Sequence, residues 1–292
     1  MKHALLALLV ACGSSAPTET PPATTTTAPA DNFAPTVFSV DVKGQGKPVI
    51  FIPGLGSSGA VWNATVAHLG GKFQTHVLTL AGMGGAPASP DYSLAAVHDQ
   101  IVHYIQAKHL DHPIVVGHSL GGVMALWLAE TNSADLGGIV VVDGMPFLAA
   151  VMDPTMTEAK AAEMGKMVSA QMDGGDFDGN VRKFTNTMVT KPDDQKMVGD
   201  ISVKSDKKTF VDSFAQLFAK DLRPDLPKIT TKVTLIVAGI SGSVPKPQLE
   251  AAWHTQIDPI KGADFHMVDD ARHFVFLDQP DKFYALLDSA LH

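Results

Sequence analysis

Between residues 117 and 121 the chain reads Gly-His-Ser-Leu-Gly, directly after the apolar run PIVV and directly before the helix-forming stretch LGGVMALWLAE. At a strand-to-helix bend this sharp, the serine hydroxyl is held up at the sheet edge, and the residues two before and two after it must be nearly without side chains. Both are glycine here. Ser119 becomes a nucleophile only if a base takes its proton, so the motif asks for an imidazole from elsewhere in the chain. The alternative is a glycine-rich turn in which Ser119 merely caps the helix that follows.

Three further features bear on that choice. His273, in DDARHFVFLDQPDKF, follows a strand-like DFHMVD and precedes the final helical segment, and it is the candidate base. Among the other histidines, His98, His103 and His109 fall on one helical stretch and are expected at the surface. His118 is expected to turn away from the serine into packing. The second feature is the glycine-lined loop FIPGLGSSGAVW, residues 51–62, after an early strand. Its backbone N–H groups can face an oxyanion, and the expected donors are the amides of Leu55 and Leu120. The third is an acid to orient the imidazole. In the chain order serine, acid, histidine, it must lie at a strand end between Ser119 and His273. The turn after KVTLIVAG reads ISGSVPKP and has no carboxylate, whereas Asp143 closes GGIVVVDG one strand after the serine. Asp143 is the candidate acid, with a turn or cap residue as its alternative reading. Asp264, Asp269 and Asp270, near His273 in sequence, are the other candidates. No His, Cys or carboxylate cluster has metal-ligand spacing, so neither metal nor cofactor is expected.

Something must carry these residues to one place. Short apolar runs closed by glycine occur at 48–54, 75–82, 113–119, 137–144 and 232–239, the pattern of strands covered on both faces of a parallel sheet. Helical periodicity lies between them, as in SLAAVHDQIVHYIQAKHL with Leu94, Val97, Ile101 and Ile105 on one face. Strand and helix in alternation predict an α/β fold with a doubly wound sheet, whose ligands gather at the carboxyl ends of the strands. From Met145 to about Pro227 the alternation stops and methionine-rich helical material takes over. An insertion there sits over the strand ends as a helical cap, and its methionines suit a partly apolar acyl substrate.

The totals narrow the function classes. A chain of 292 residues with 45% hydrophobic content fills a sizeable core. A formal charge of −8 without clustered Lys and Arg argues against a nucleic-acid partner. The opening MKHALLALLVAC has a basic start and an apolar run too short to span a bilayer, and reads as a secretory signal. Its end, Leu9-Val10-Ala11-Cys12, resembles the lipobox of bacterial lipoproteins, which places a lipid on Cys12, the sole cysteine. The Pro/Thr-rich segment that follows cannot bury enough apolar surface to offset its ordering entropy and is expected to be a tether. The expected organisation is a signal at 1–11, lipidated Cys12 and tether over 12–35, a core over 36–144 and 228–292, and the cap over 145–227. An extracytoplasmic, membrane-anchored location follows from the same reading.

Taken together, IFIPGLGSSGAVW, LTLAGMGGAP, VVGHSLGG, IVVVDGMPF and RHFVFLDQPDKF stand in an order and spacing that resembles the α/β-hydrolase superfamily over residues 36–292. The resemblance implies Ser119 as nucleophile, His273 as base, the Leu55 and Leu120 amides as oxyanion hole, and a cap after the sixth core strand. It departs from the pattern at Pro53, where many members have histidine, and at Gly242 or Ser243, where the usual acid after the seventh strand would stand. Haloalkane dehalogenases of this superfamily place their acid after the sixth strand, the position of Asp143. They and the epoxide hydrolases use an aspartate nucleophile, so serine at 119 points away from both reactions. The resemblance thus implies a serine hydrolase acting on an ester or related acyl bond. Amide, lactone, thioester or carbon–carbon cleavage on the same residues, and a ligand-binding protein of this fold, are the alternatives.

Overall fold

The structure is a computed structural model, and it describes residues 33–292. The signal segment, Cys12 and all but the last residues of the expected tether lie outside the described residues. Within them the chain runs through β1 (Phe38–Lys43), β2 (Pro48–Ile52), α1 (Asn63–Leu69), β3 (Gln74–Leu80), α2 (Leu94–Ala107), β4 (Ile114–His118), α3 (Leu120–Asn132) and β5 (Gly138–Val142). It continues through α4 (Glu158–Asp173), α5 (Phe177–Asn186), α6 (Pro192–Ser202) and α7 (Lys207–Ala219). The chain closes with β6 (Val233–Ala238), α8 (Lys246–Ile257), β7 (Asp264–Val268), α9 (Val275–Asp278) and α10 (Pro280–Leu291).

The strands form one seven-stranded sheet in the order β1-β3-β2-β4-β5-β6-β7, parallel except for antiparallel β1. Every residue of β2, β4, β5 and β6 is buried. Because side chains alternate across a strand, this double burial requires apolar cover on each face. The core divides accordingly. Ile50, Ile52, Val115, Ile139, Val141 and Leu235 pack in one layer with α2 and α3. Their neighbours Val49, Phe51, Val116, Val140, Val142 and Ile236 pack in the other, against Trp62, Phe276 and Phe283. The sheet is therefore wound on both sides, as the alternating runs predict.

The edge strand β1 escapes that pattern. FSVDVK is half exposed, with Asp41 and Lys43 paired at 2.6 Å, so it carries no continuous apolar run. Residue 33 also departs from expectation. Phe33, assigned to the tether by composition, stacks on His103 with ring centroids 4.0 Å apart, and the Thr36 amide donates to Gln100 at 2.7 Å. Phe33 thus belongs to the packed chain, because an aromatic ring has a surface to cover even in a polar segment. His98 is likewise not a surface residue. It is buried, stacked on Trp127, with its ring nitrogens hydrogen-bonded to Asp99 and Thr131.

Helices α4 to α7 lie between β5 and β6 in sequence, the interval expected for the cap. The strand before this insertion, the sixth in the superfamily's pattern, is the fifth in chain order here. Each cap helix has its own start signal: Thr157, Asp176 and Asp206 accept the N3 amides of α4, α5 and α7, and Pro192 opens α6. Such local stops are needed in an insertion with no sheet to set its boundaries.

Candidate active site

Ser119 sits between β4 and α3 with φ 54° and ψ −117°. A non-glycine residue holds this conformation only where the surroundings over-determine it. Here they do, through close approach of backbone to backbone. A Cβ at Gly117 would fall on the carbonyl of Gly121, and a Cβ at Gly121 on the carbonyl of Ile52. The two glycines let α3 start against β2 and β4, and the bend raises Ser119 out of an otherwise buried strand. The Ser119 amide is tied to the Val142 carbonyl at 2.8 Å, which fixes the bend to β5.

The end of β5 carries Asp143, also at positive φ, 49°. Its amide donates to the Ile236 carbonyl at 3.1 Å, and its Oδ1 accepts the Ala238 amide at 2.9 Å. These bonds to β6 aim the other oxygen, Oδ2, at His273 Nδ1, 2.6 Å away. With Nδ1–H donated to the carboxylate, the lone pair of Nε2 is the one left for a hydroxyl. Ser119, Asp143 and His273 all line one cavity of about 470 Å³.

His273 is held through its backbone as well. The buried His118 donates from Nε2 to the His273 carbonyl at 3.0 Å, while its Nδ1 is buried without a partner. Burial first, and the neighbouring His273 second, push the His118 imidazole well below the usual histidine range, so it stays neutral. On the other side, Asp278, 5% exposed, accepts the Arg272 amide at 2.8 Å. The same carboxylate accepts the Thr190 amide at 2.9 Å and the Thr190 hydroxyl at 2.6 Å. The Phe274 amide donates to the Met188 carbonyl at 3.2 Å. The cap segment between α5 and α6 is therefore zipped to the loop that bears His273.

The structure gathers Ser119, His273, Asp143 and Leu55 around one cavity and sets Leu120 beside Ser119 as the first residue of α3. That position leaves the Leu120 amide without a partner inside the helix. The alternative acids are elsewhere occupied: Asp264 pairs with His266 at 2.9 Å and Asp269 with Lys246 at 2.5 Å. His273 Nδ1 is taken by Asp143 and not by Asp270, whose backbone carbonyl accepts the Gln279 side-chain amide at 3.2 Å. His118 does turn into packing, as expected, but its bond to the His273 carbonyl and the Thr190–Asp278 contact were not foreseen. Contacts 155 and 88 residues apart leave no local trace in a sequence.

The cavity wall is mainly apolar, and phenylalanines form one side of it. Phe210, Phe214 and Phe218 present one face of α7, joined by Phe184 of α5, with Met152 and Met188 beside them. The methionine reading missed this wall, although the spacing of Phe210, Phe214 and Phe218 in KKTFVDSFAQLFA shows it. A second, smaller cavity of about 180 Å³ also opens on Ser119 and His273, lined by Met145, Leu249 and Trp253. Among the described residues no group of three or more His, Cys, Asp or Glu is gathered as a metal site needs.

Comparison with known proteins agrees with this geometry. The model of the alpha/beta hydrolase family matches residues 49–286. A pimeloyl-[acyl-carrier protein] methyl ester esterase of Vibrio atlanticus is 26% identical over 219 residues, covering 70% of this chain and 80% of that protein. An N-formylmaleamate deformylase of Pseudomonas putida is 26% identical over 259 residues, covering 83% and 87%. In structure, the enol-lactonase from Burkholderia xenovorans superposes with a TM-score of 0.73 at 16% identity, over 87% of this chain and 96% of that one, a likeness of fold. With a family model spanning most of its length and a serine, an imidazole and a carboxylate brought to one cavity, the chain belongs to the alpha/beta hydrolase family.

Proposed function

We propose that the protein is a serine hydrolase that cleaves carboxylic ester bonds through an acyl-enzyme. The observation that carries this reading is the 2.6 Å bond from His273 Nδ1 to Asp143, which leaves Nε2 for Ser119 in the same cavity. Ser119 Oγ attacks the acyl carbon as His273 takes the hydroxyl proton, and the Asp143 carboxylate stabilises the imidazolium. The developing oxyanion faces the backbone amides of Leu55 and Leu120, each such donor contributing about 3 kcal/mol. His273 then returns the proton to the departing alkoxide. Water, activated by the same imidazole, splits the acyl-enzyme and restores Ser119. An ester is also the bond named in the Vibrio relative.

A fluorophosphonate probe tests the nucleophile: Ser119 in the full chain is expected to be labelled and the Ser119→Ala chain is not. Turnover of p-nitrophenyl esters is expected from the same preparation, and absence of both labelling and turnover contradicts the reading.

We further propose that Cys12 carries a lipid that anchors the protein to a bacterial membrane, with the hydrolase domain on the extracytoplasmic side. The support is the run Leu9-Val10-Ala11-Cys12 after a basic, apolar start. Metabolic incorporation of an alkyne fatty acid into the wild type and not into Cys12→Ser is the expected result.

A further inference from the structure

Both cavities that meet at Ser119 lack a counter-ion for an acidic substrate. The larger, about 470 Å³, has no Lys, Arg or Glu in its wall, and neither has the smaller, about 180 Å³. The ionisable side chains in the two walls are Asp143, His118 and His273. Asp143 is itself anionic in the proposed mechanism, His118 is neutral and buried, and His273 is bonded to Asp143. Of the wall hydroxyls, Thr185 donates to the Arg182 carbonyl at 3.2 Å and Thr187 to the Phe184 carbonyl at 2.7 Å, while Ser202 and Ser241 are neutral and supply no charge to pair an anion. An anion seated there would be desolvated with no paired cation and with a carboxylate nearby. The remaining wall of Phe184, Phe210, Phe214, Phe218 and Leu217 gives an apolar chain a surface to cover.

From these walls we infer that the substrates are acyl esters uncharged along both limbs, one limb long and apolar and the other short, and that substrates bearing a carboxylate on the long limb are rejected. The inference rests on the serine-hydrolase reading and specifies its substrate class. The size difference between the cavities sets the asymmetry: a limb of medium chain length fits the larger and a small group the smaller. The charge selectivity comes from the absence of a Lys or Arg side chain across both walls, so single apolar substitutions inside them leave it in place.

Three methyl esters of equal chain length test this on the full-length protein: methyl octanoate, dimethyl suberate and monomethyl suberate. They share the scissile bond and differ at the far end, which is a methyl, a neutral ester or a carboxylate. The expected kcat/KM for monomethyl suberate is at least about 30-fold below that of the other two. Val151→Arg supplies the missing cation, because Val151 lines both cavities and is 50% exposed, where the arginine is tolerated. That variant is expected to narrow the ratio by about 5-fold or more. Monomethyl suberate hydrolysed as well as methyl octanoate, or a ratio unmoved by Val151→Arg, overturns the inference while the hydrolase reading stands. If none of the three esters is turned over and a fluorophosphonate leaves Ser119 unlabelled, the hydrolase reading itself falls and this inference with it.

Discussion

Asp143 divides its carboxylate between two partners: Oδ1 accepts the Ala238 amide at 2.9 Å and Oδ2 accepts His273 Nδ1–H at 2.6 Å. The first bond holds the acid to β6, and the second sets the tautomer of the base. Asp143→Asn separates these roles. With the asparagine carbonyl on the Ala238 amide, its NH2 faces Nδ1, which must then accept, moving the ring proton to Nε2 where it cannot take the Ser119 proton. The expected result is a loss of about a thousandfold or more in kcat with little change in melting temperature. Asp269→Asn and Asp270→Asn are expected to retain kcat, and comparison of kcat and melting temperature for wild type and these three variants with methyl and p-nitrophenyl esters checks it.

Asp278 is expected to govern both stability and turnover. Its carboxylate accepts the Thr190 amide, the Thr190 hydroxyl and the Arg272 amide, joining the cap to the residue before His273. Asp278→Ala leaves these buried donors without partners and is expected to cost about 2–4 kcal/mol in unfolding free energy. Thr190→Val keeps the shape and removes the hydroxyl bond alone, with an expected loss nearer about 1 kcal/mol. Denaturant unfolding measures both. If Asp278 holds the His273 loop in place, kcat falls with stability in Asp278→Ala while KM for a short ester changes little.

The acid side chain of Glu130, near the end of α3, gives a pH signature distinct from the active site. One of its oxygens is buried without a hydrogen-bond partner, and its pKa is raised to about 8, by burial first and by Asp225 next. For a carboxyl raised in the folded state, the stabilising contribution is complete below its unfolded value near 4.5 and is lost as the pH climbs to about 8. Glu130→Gln carries no titrating proton there. Its melting temperature relative to wild type is therefore expected to rise between pH 5 and 9, and a difference constant across that range contradicts the assignment.

The sequence displays the strands that positioned Ser119 and Asp143 because double burial forces continuous apolar runs, as in IVVGH and GIVVV. The edge strand Phe38–Lys43 is hidden because only one side of it meets the core, so Asp41 and Lys43 interrupt the pattern. Gly117, Ser119 and Gly121 are legible because backbone proximity at the bend admits little else. Asp143 emerges from elimination along the chain, whereas its bond to the Ala238 amide depends on strand pairing in space. His98 looks like a surface residue until α2 packs on α3 and Trp127 covers it. Thr190 and Asp278 carry no signal at all in isolation, since a threonine in a loop and an aspartate two residues before a proline are ordinary turn residues.

Hydrolysis of p-nitrophenyl butyrate by wild type and Ser119→Ala, both checked for folding by circular dichroism, reaches the central claim most directly. The account predicts that removing the Ser119 oxygen lowers kcat at least about ten-thousand-fold while the fold and melting temperature are kept. A folded Ser119→Ala protein that turns the ester over at the wild-type rate would contradict it.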